Sequence, residues 1–156
     1  MSPVRTTTRH IDEVAVGDEL PALSIPLTRT VIVATAIASR DYQDVHHDPG
    51  LAVERGSEDV FMNILSTNGF VGRYVTDWAG PGAVIEKVAI RLGAPNYPGD
   101  TMVLTGRVAA VSVPAGRGDG RGVVELTLRG ANGRGHHVTG TVRLSLPAGP
   151  AARAVP

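Results

Sequence analysis

The stretch 59-DVFMNILSTNGFVGRYVTDW-78 decides how the rest of the chain is read. Phe61, Ile64, Leu65, Val71, Tyr74, Val75 and Trp78 recur near a 3.6-residue period, the spacing of one buried helix face. Asp59 stands where an N-cap carboxylate would accept from the orphan backbone N–H groups of a first turn. Gly80-Pro81-Gly82 follow and stop a helix. The spacing predicts one long helix over about 59–78. Gly69 and Gly72 lie three apart inside it. Glycine weakens a helix interior, so close approach of another backbone is the expected reason for them. Their mid-helix position excludes a phosphate loop, which needs a helix N-terminus.

Downstream of this helix the period changes from 3.6 to 2, the signature of strands. Val84, Val88, Ile90 and Leu92 share one side of the first run. Residues 102–113 form a second, and 123–130 alternate Val124, Leu126 and Leu128 against Glu125, Thr127 and Arg129. In 136–146, Val138, Val142, Leu144 and Leu146 define an apolar face that also takes His136, while His137 points the other way. A Gly-rich connection at 114–122 and Asn132-Gly133 read as hairpin links. Upstream, Pro21 and Pro26 hold a short strand at a sheet edge. Residues 28–39 are β-branched enough for a strand. The favoured reading is a helix capped by Thr28 or Thr30, with Ile32, Ala36 and Ile37 on its buried side. Residues 41–50 follow as a loop closed by the turn signal Asp48-Pro49-Gly50, and 51–55 as one further helical turn. One long helix against one antiparallel sheet is an α+β layer architecture. Residues 1–10 read as a flexible arm, 11–146 as the single domain, and the Pro/Ala-rich 147–156 as a disordered tail.

Composition excludes several functions. The chain of 156 residues holds 15 Lys plus Arg and 15 Asp plus Glu, so it carries no basic field for nucleic acid or an anionic membrane. It has no cysteine, which excludes disulfides and thiolate metal sites and is compatible with a reducing cytoplasm. No secretion signal and no run long enough to span a bilayer are apparent, so a cytoplasmic location is expected.

The chemistry concentrates just before the long helix, in 40-RDYQDVHHD-48. Asp and His are the side chains most used to move protons near neutral pH, and they follow the end of a structured element, where catalytic groups usually sit. Asp44 and Asp48 read as turn carboxylates, and His47 as solvent-facing. A metal held by His46, His47 and Asp48 is disfavoured because adjacent residues rarely converge on one ion. Arg117-Gly118-Asp119 spells an adhesion tripeptide, which in this setting reads as chance. Arg73, Lys87 and Arg91 are ordinary surface charges or contacts for an anionic ligand.

The pattern D41-Y-Q-D-V-H46-H-D48-P49 resembles the motif of the MaoC-like (R)-specific enoyl-CoA hydratases: an Asp, a His five positions on, then Asp-Pro. I-R-L-G-A-P-N-Y-P-G-D-T at 90–101 and G-H-H-V-T-G-T-V-R-L-S-L at 135–146 extend the resemblance across nearly all of 12–146. Within the family, S-R-D-Y-Q-D-V-H-H-D-P, N-I-L-S-T-N-G-F-V-G-R-Y-V-T-D-W-A-G-P and I-R-L-G-A-P are most similar to the small subunits of heteromeric actinobacterial steroid side-chain hydratases. The resemblance implies a hotdog fold, the sheet wrapped around the central helix. It implies addition of water across the α,β double bond of a bulky acyl-CoA, with Asp41 and His46 as the acid/base pair and the Asn63 backbone N–H on the thioester oxygen. No cofactor is implied beyond the CoA of the substrate. A second MaoC-like hotdog subunit is implied, bearing an OB-type domain, in a heterodimer or α2β2 heterotetramer that associates with a downstream aldolase. Two departures stand out: Gln43-Asp44 replaces the usual Asn-Pro, and Met62-Asn63 the usual His-Gly. The alternatives are a non-catalytic hotdog subunit completing a partner's pocket, and a hotdog thioesterase, which commonly carries its carboxylate on the central helix.

Overall fold

The structure, a computed structural model, describes residues 5–113 and 120–149. The chain runs β1 (Glu19–Pro26), α1 (Arg29–Ala38), α2 (Pro49–Glu54), α3 (Ile64–Ala79), β2 (Val84–Leu92), β3 (Thr101–Ser112), β4 (Arg121–Asn132) and β5 (Gly135–Pro147). All strand pairs are antiparallel, in the order β1-β3-β4-β5-β2. Val71, Tyr74, Val75 and Trp78 of α3 share one core with Leu104 and Val108 of β3, Leu126 of β4 and Leu144 of β5. This is the expected hotdog layering. Of the two expected caps, Thr28 starts α1, its side chain accepting from Val31 N–H, and the helix buries Ile32 and Ala36. Ile37 is not on that buried side: it is 44% exposed. Among the described residues no helix is long and apolar enough to cross a membrane.

The central helix is shorter than its periodicity predicts. It starts at Ile64, with Asn63 as N-cap accepting from Ser66 N–H at 2.8 Å. Asp59 is no cap. Its carboxylate takes both terminal nitrogens of Arg29, each at 2.7 Å, and residues 60–63 are not helical. Ile64 and Leu65, expected on the buried face, are each 47% exposed. A Cβ at Gly69 or Gly72 would meet nothing within 4 Å, so the expected backbone approach is not made within this chain. At Gly80, by contrast, φ is +88 and a side chain would collide with the backbone of Thr7 and Thr8. Residues 5–10, expected as an arm, are hydrogen-bonded there: Arg9 N–H donates to Ala79 O at 2.8 Å and its guanidinium lies 5.0 Å from the Trp78 ring.

Bulges break two parity readings. The β2–β5 register shifts between Ile85 and Lys87, which leaves Val84 52% exposed and Ile85 packed against the core. The β4–β5 register shifts between Gly130 and Ala131, opposite His137. His137 is therefore buried next to Val138, and His136 is exposed, the reverse of strict alternation. Asp48-Pro49-Gly50 is also no simple turn. Asp48 caps α2, accepting from Leu51 N–H at 3.0 Å with Pro49 in the first helical turn. The hairpin connection at 114–119, with Arg117-Gly118-Asp119, and the tail from 150 lie outside the described residues.

Candidate active site

Asp41 is delivered by the way α1 ends. Arg40 N–H donates to Ile37 O and Asp41 N–H to Ala36 O, both at 3.0 Å, the paired bonds of a Schellman close. The chain leaves the helix at Asp41, whose Oδ2 accepts from Asn63 Nδ2 at 2.8 Å and whose Oδ1 accepts from Gln43 N–H at 3.3 Å. The Asn63 bond is the main cause that holds the Asp41 carboxyl below the usual carboxylate range. Gln43 N–H adds to it, as does His46 in its protonated form, and partial desolvation opposes them. Asp41 is ionised at neutral pH.

His46 ends a single 3₁₀ turn, Asp44–His46, and is buried. Its Nδ1 lies 2.7 Å from Phe61 O. A carbonyl only accepts, so Nδ1 carries the proton and Nε2 of the neutral ring is an acceptor. Nε2 faces Asp41 Oδ2 at 3.5 Å. Two acceptors at that separation do not bond one another; a water between them would donate one hydrogen to each. Asp44 and Asp48, expected as turn carboxylates, have other structural parts: Asp44 pairs with Arg55 and Asp48 caps α2. His47 is exposed.

The segment before α3 is clamped from two sides. Phe61 N–H donates to Val45 O at 3.2 Å, and Met62 N–H to Asn96 O at 3.0 Å. Asn96 is fully buried and accepts from Asn132 Nδ2 at 2.8 Å. The N–H groups of Asn63, Ile64 and Leu65 meet no acceptor among the described residues and form the positive end of the α3 dipole, beside Asp41. Asn63 sits at φ −79, ψ 164, open to any L-residue, so the departure from glycine carries no backbone strain. One turn on, Thr67 Oγ1 lies 2.9 Å from His137 Nε2, while His137 Nδ1–H donates to Ala94 O at 2.7 Å. Burial lowers the His137 pKa, with Ala94 acting the other way.

The structure thus brings Asp41, His46 and Asn63 together. Sequence reasoning missed three contributors: the Asn63 side chain, the Phe61 carbonyl and Asn96. The first was legible as an amide at a helix start. The other two act through backbone contacts that no residue type announces. Among the described residues no group of three or more His, Asp or Glu is placed to hold a metal. A groove lined by Glu19, Arg107, Thr127 and Arg129 opens on the sheet and includes none of Asp41, His46 and Asn63.

An ionised carboxylate and a proton-defined imidazole beside free helix N–H groups, on a hotdog, make an acid/base site suited to a polarised double bond. No protein-family profile matches the chain. It is 48% identical over 131 residues to the 3-oxo-4,17-pregnadiene-20-carboxyl-CoA hydratase beta subunit of Mycobacterium tuberculosis, across 84% of this chain and 95% of that one. A chain of the ChsH1-ChsH2 complex from Mycobacterium tuberculosis superposes with a TM-score of 0.77 at 48% identity, over 85% of this chain and 98% of its own. The (R)-hydratase from A. caviae involved in PHA biosynthesis superposes with a TM-score of 0.71 at 24% identity, over 86% of this chain and 98% of its own, and shares the fold. The chain belongs to the MaoC-like hydratase family.

Proposed function

We propose that this chain is the acid/base subunit of a heteromeric enoyl-CoA hydratase acting on a bulky steroid side-chain acyl-CoA. The observation that carries the reading is the 3.5 Å separation of Asp41 Oδ2 and His46 Nε2, with the imidazole proton committed to Phe61 O. Water donates one hydrogen to each. As its oxygen bonds the β-carbon, His46 Nε2 takes one proton, and the π pair moves through the α-carbon to the thioester oxygen. The free N–H groups at the start of α3 stabilise that oxyanion, Asn63 foremost. The proton then passes to the α-carbon, and the other hydrogen of the water stays in the new hydroxyl. Asp41 remains ionised and fixes the water. No cofactor enters this sequence.

The relative's name supports the steroid side chain, and the ChsH1-ChsH2 complex supports a heteromer. The partner is a second hotdog subunit joined along β2, an edge strand that pairs with β5 alone among the described residues. The resemblance extends the proposal to an OB-type domain on that partner, an α2β2 assembly, contact with a downstream aldolase and a cytoplasmic location. Thioesterase activity is disfavoured because Glu58 and Asp59 precede α3 and pair with Arg134 and Arg29. The test is hydration of a steroid enoyl-CoA, read as the mass gain of one water, by the chain alone and with its partner, as wild type and His46→Ala. Hydration lost in His46→Ala supports the reading. Unchanged hydration moves the chemistry to the partner, and release of free CoA makes the chain a thioesterase.

A further inference from the structure

One hydrogen bond does not fix the plane of an imidazole. His46 Nδ1–H donates to Phe61 O at 2.7 Å, but the torsion that carries the ring is intrinsically broad and roughly two-fold. Turning about it would take Nε2 away from Asp41. A row of rings opposes that turn. The Phe61 ring stands against the imidazole with centroids 4.9 Å apart and planes at 80°, the edge-to-face contact that aromatic quadrupoles favour. Tyr97, from the loop between β2 and β3, stands against Phe61 in the same manner, at 6.4 Å and 82°. Tyr97 is itself pinned at both ends. Its backbone N–H donates to Asp100 Oδ2 at 2.9 Å. Ser57 Oγ spends its single hydrogen on Asp59 O at 2.8 Å, so across the 3.1 Å contact the Tyr97 hydroxyl donates to Ser57. The Arg134 guanidinium ends the row, 4.8 Å from the Tyr97 ring centroid and paired with Glu58 and Asp100.

We infer that Phe61 and Tyr97 are positioning residues of this site: their rings, set edge to face, hold the His46 imidazole in the plane that turns Nε2 to Asp41. This rests on the acid/base reading above. Phe61 acts on His46 twice, its carbonyl selecting the tautomer and its ring the orientation. Three segments far apart in sequence meet in the row: residues 57–61, the 97–100 loop and the β4–β5 turn that carries Arg134. The imidazole is thereby braced against the body of the sheet and not only against its own short turn. Leucine fills much of the space of either ring but offers no flat face or polarised edge, so it separates orientation from mere filling.

The test uses the complex of this chain with its partner subunit, as wild type, Phe61→Leu, Tyr97→Leu and Tyr97→Phe, with isotopically labelled histidine in this chain alone. Steady-state hydration and nitrogen NMR are read on each, and the His46 signals are those missing from His46→Ala. In wild type the neutral His46 ring carries its proton on Nδ1. In Phe61→Leu, whose backbone carbonyl remains, the two nitrogen shifts move towards those of exchanging tautomers, and kcat falls about tenfold with KM little changed. Tyr97→Leu moves both readouts the same way by less, about threefold in kcat. Tyr97→Phe, which keeps the ring and gives up only the hydroxyl, recovers most of that loss. His46 shifts unmoved in Phe61→Leu, an unchanged kcat, a change in KM alone, or a loss in Tyr97→Phe as large as in Tyr97→Leu each overturns the inference. If Phe61→Leu does not assemble, the two Tyr97 variants decide by the same readouts. A wild-type complex that hydrates no enoyl-CoA overturns the functional reading, while the spectra still decide whether the rings orient His46.

Discussion

The proton on His46 Nδ1 is committed to Phe61 O, which leaves Nε2 and Asp41 Oδ2 as two acceptors sharing one opening. On the proposed mechanism, losing the Asp41 charge or the His46 Nε2 removes the general acid–base contribution. Asp41→Asn and His46→Ala are each expected to lower kcat about 10²–10⁴-fold with the far-ultraviolet circular dichroism unchanged. Asn63 holds the Asp41 carboxylate of that pair. Asn63→Gly keeps the backbone N–H, weakens the cap by only a few tenths of a kcal/mol, and deletes the main cause that lowers the Asp41 pKa. The Asp41 pKa then rises, so the acid limb of kcat/KM against pH moves to higher pH. A limb that stays put would show that another group titrates there. The glycine usual in the family at this position supplies only the N–H; asparagine adds a hold on Asp41 and on Ser39 Oγ.

The start of α3 is anchored to β5 through Thr67 and His137. Thr67→Val keeps the shape but leaves His137 Nε2 unpaired in a buried place, at a cost of about 1–3 kcal/mol, measurable by urea unfolding. The same histidine makes folding pH-dependent. Its folded pKa lies below the ordinary 6.5 because burial disfavours the charged ring. The unfolded chain therefore binds a proton near pH 6.5 that the native chain refuses. The contribution to stability is full above that pH and lost as pH falls from 6.5 towards the lower folded value. His137→Asn should flatten the fall in unfolding free energy over that window relative to wild type. Equal slopes would mean that His137 titrates alike in both states.

Among the described residues β2 is an edge strand paired with β5 alone, and Val84 stands exposed on it. An open, partly apolar edge is a template for a second sheet. Val84→Lys places a charge there at little cost to the isolated chain, within about 0.5 kcal/mol. Light scattering should then show the mixed complex dissociated while the chain keeps its own unfolding transition. A complex that survives unchanged would place the partner elsewhere. The exposed Ile64 and Leu65 add apolar surface beside the site, in keeping with a substrate or partner covering that end.

Local pattern determined the α+β architecture, an α1 capped at Thr28 or Thr30 and the strand runs, and together with the family resemblance it singled out Asp41 and His46, because each is written in residues near one another. The tertiary structure decided where α3 begins, since Asp59 is taken by Arg29 and residues 61 and 62 are bonded to Val45 and Asn96 across the chain. It decided which histidine of β5 is buried, since a bulge shifts parity without marking the sequence. It also decided the tautomer of His46 and the downward shift of the Asp41 pKa. Asp41 is tuned by an amide 22 positions away and His46 by a carbonyl 15 positions away, and a hydrogen bond between distant positions exists only once the chain has folded.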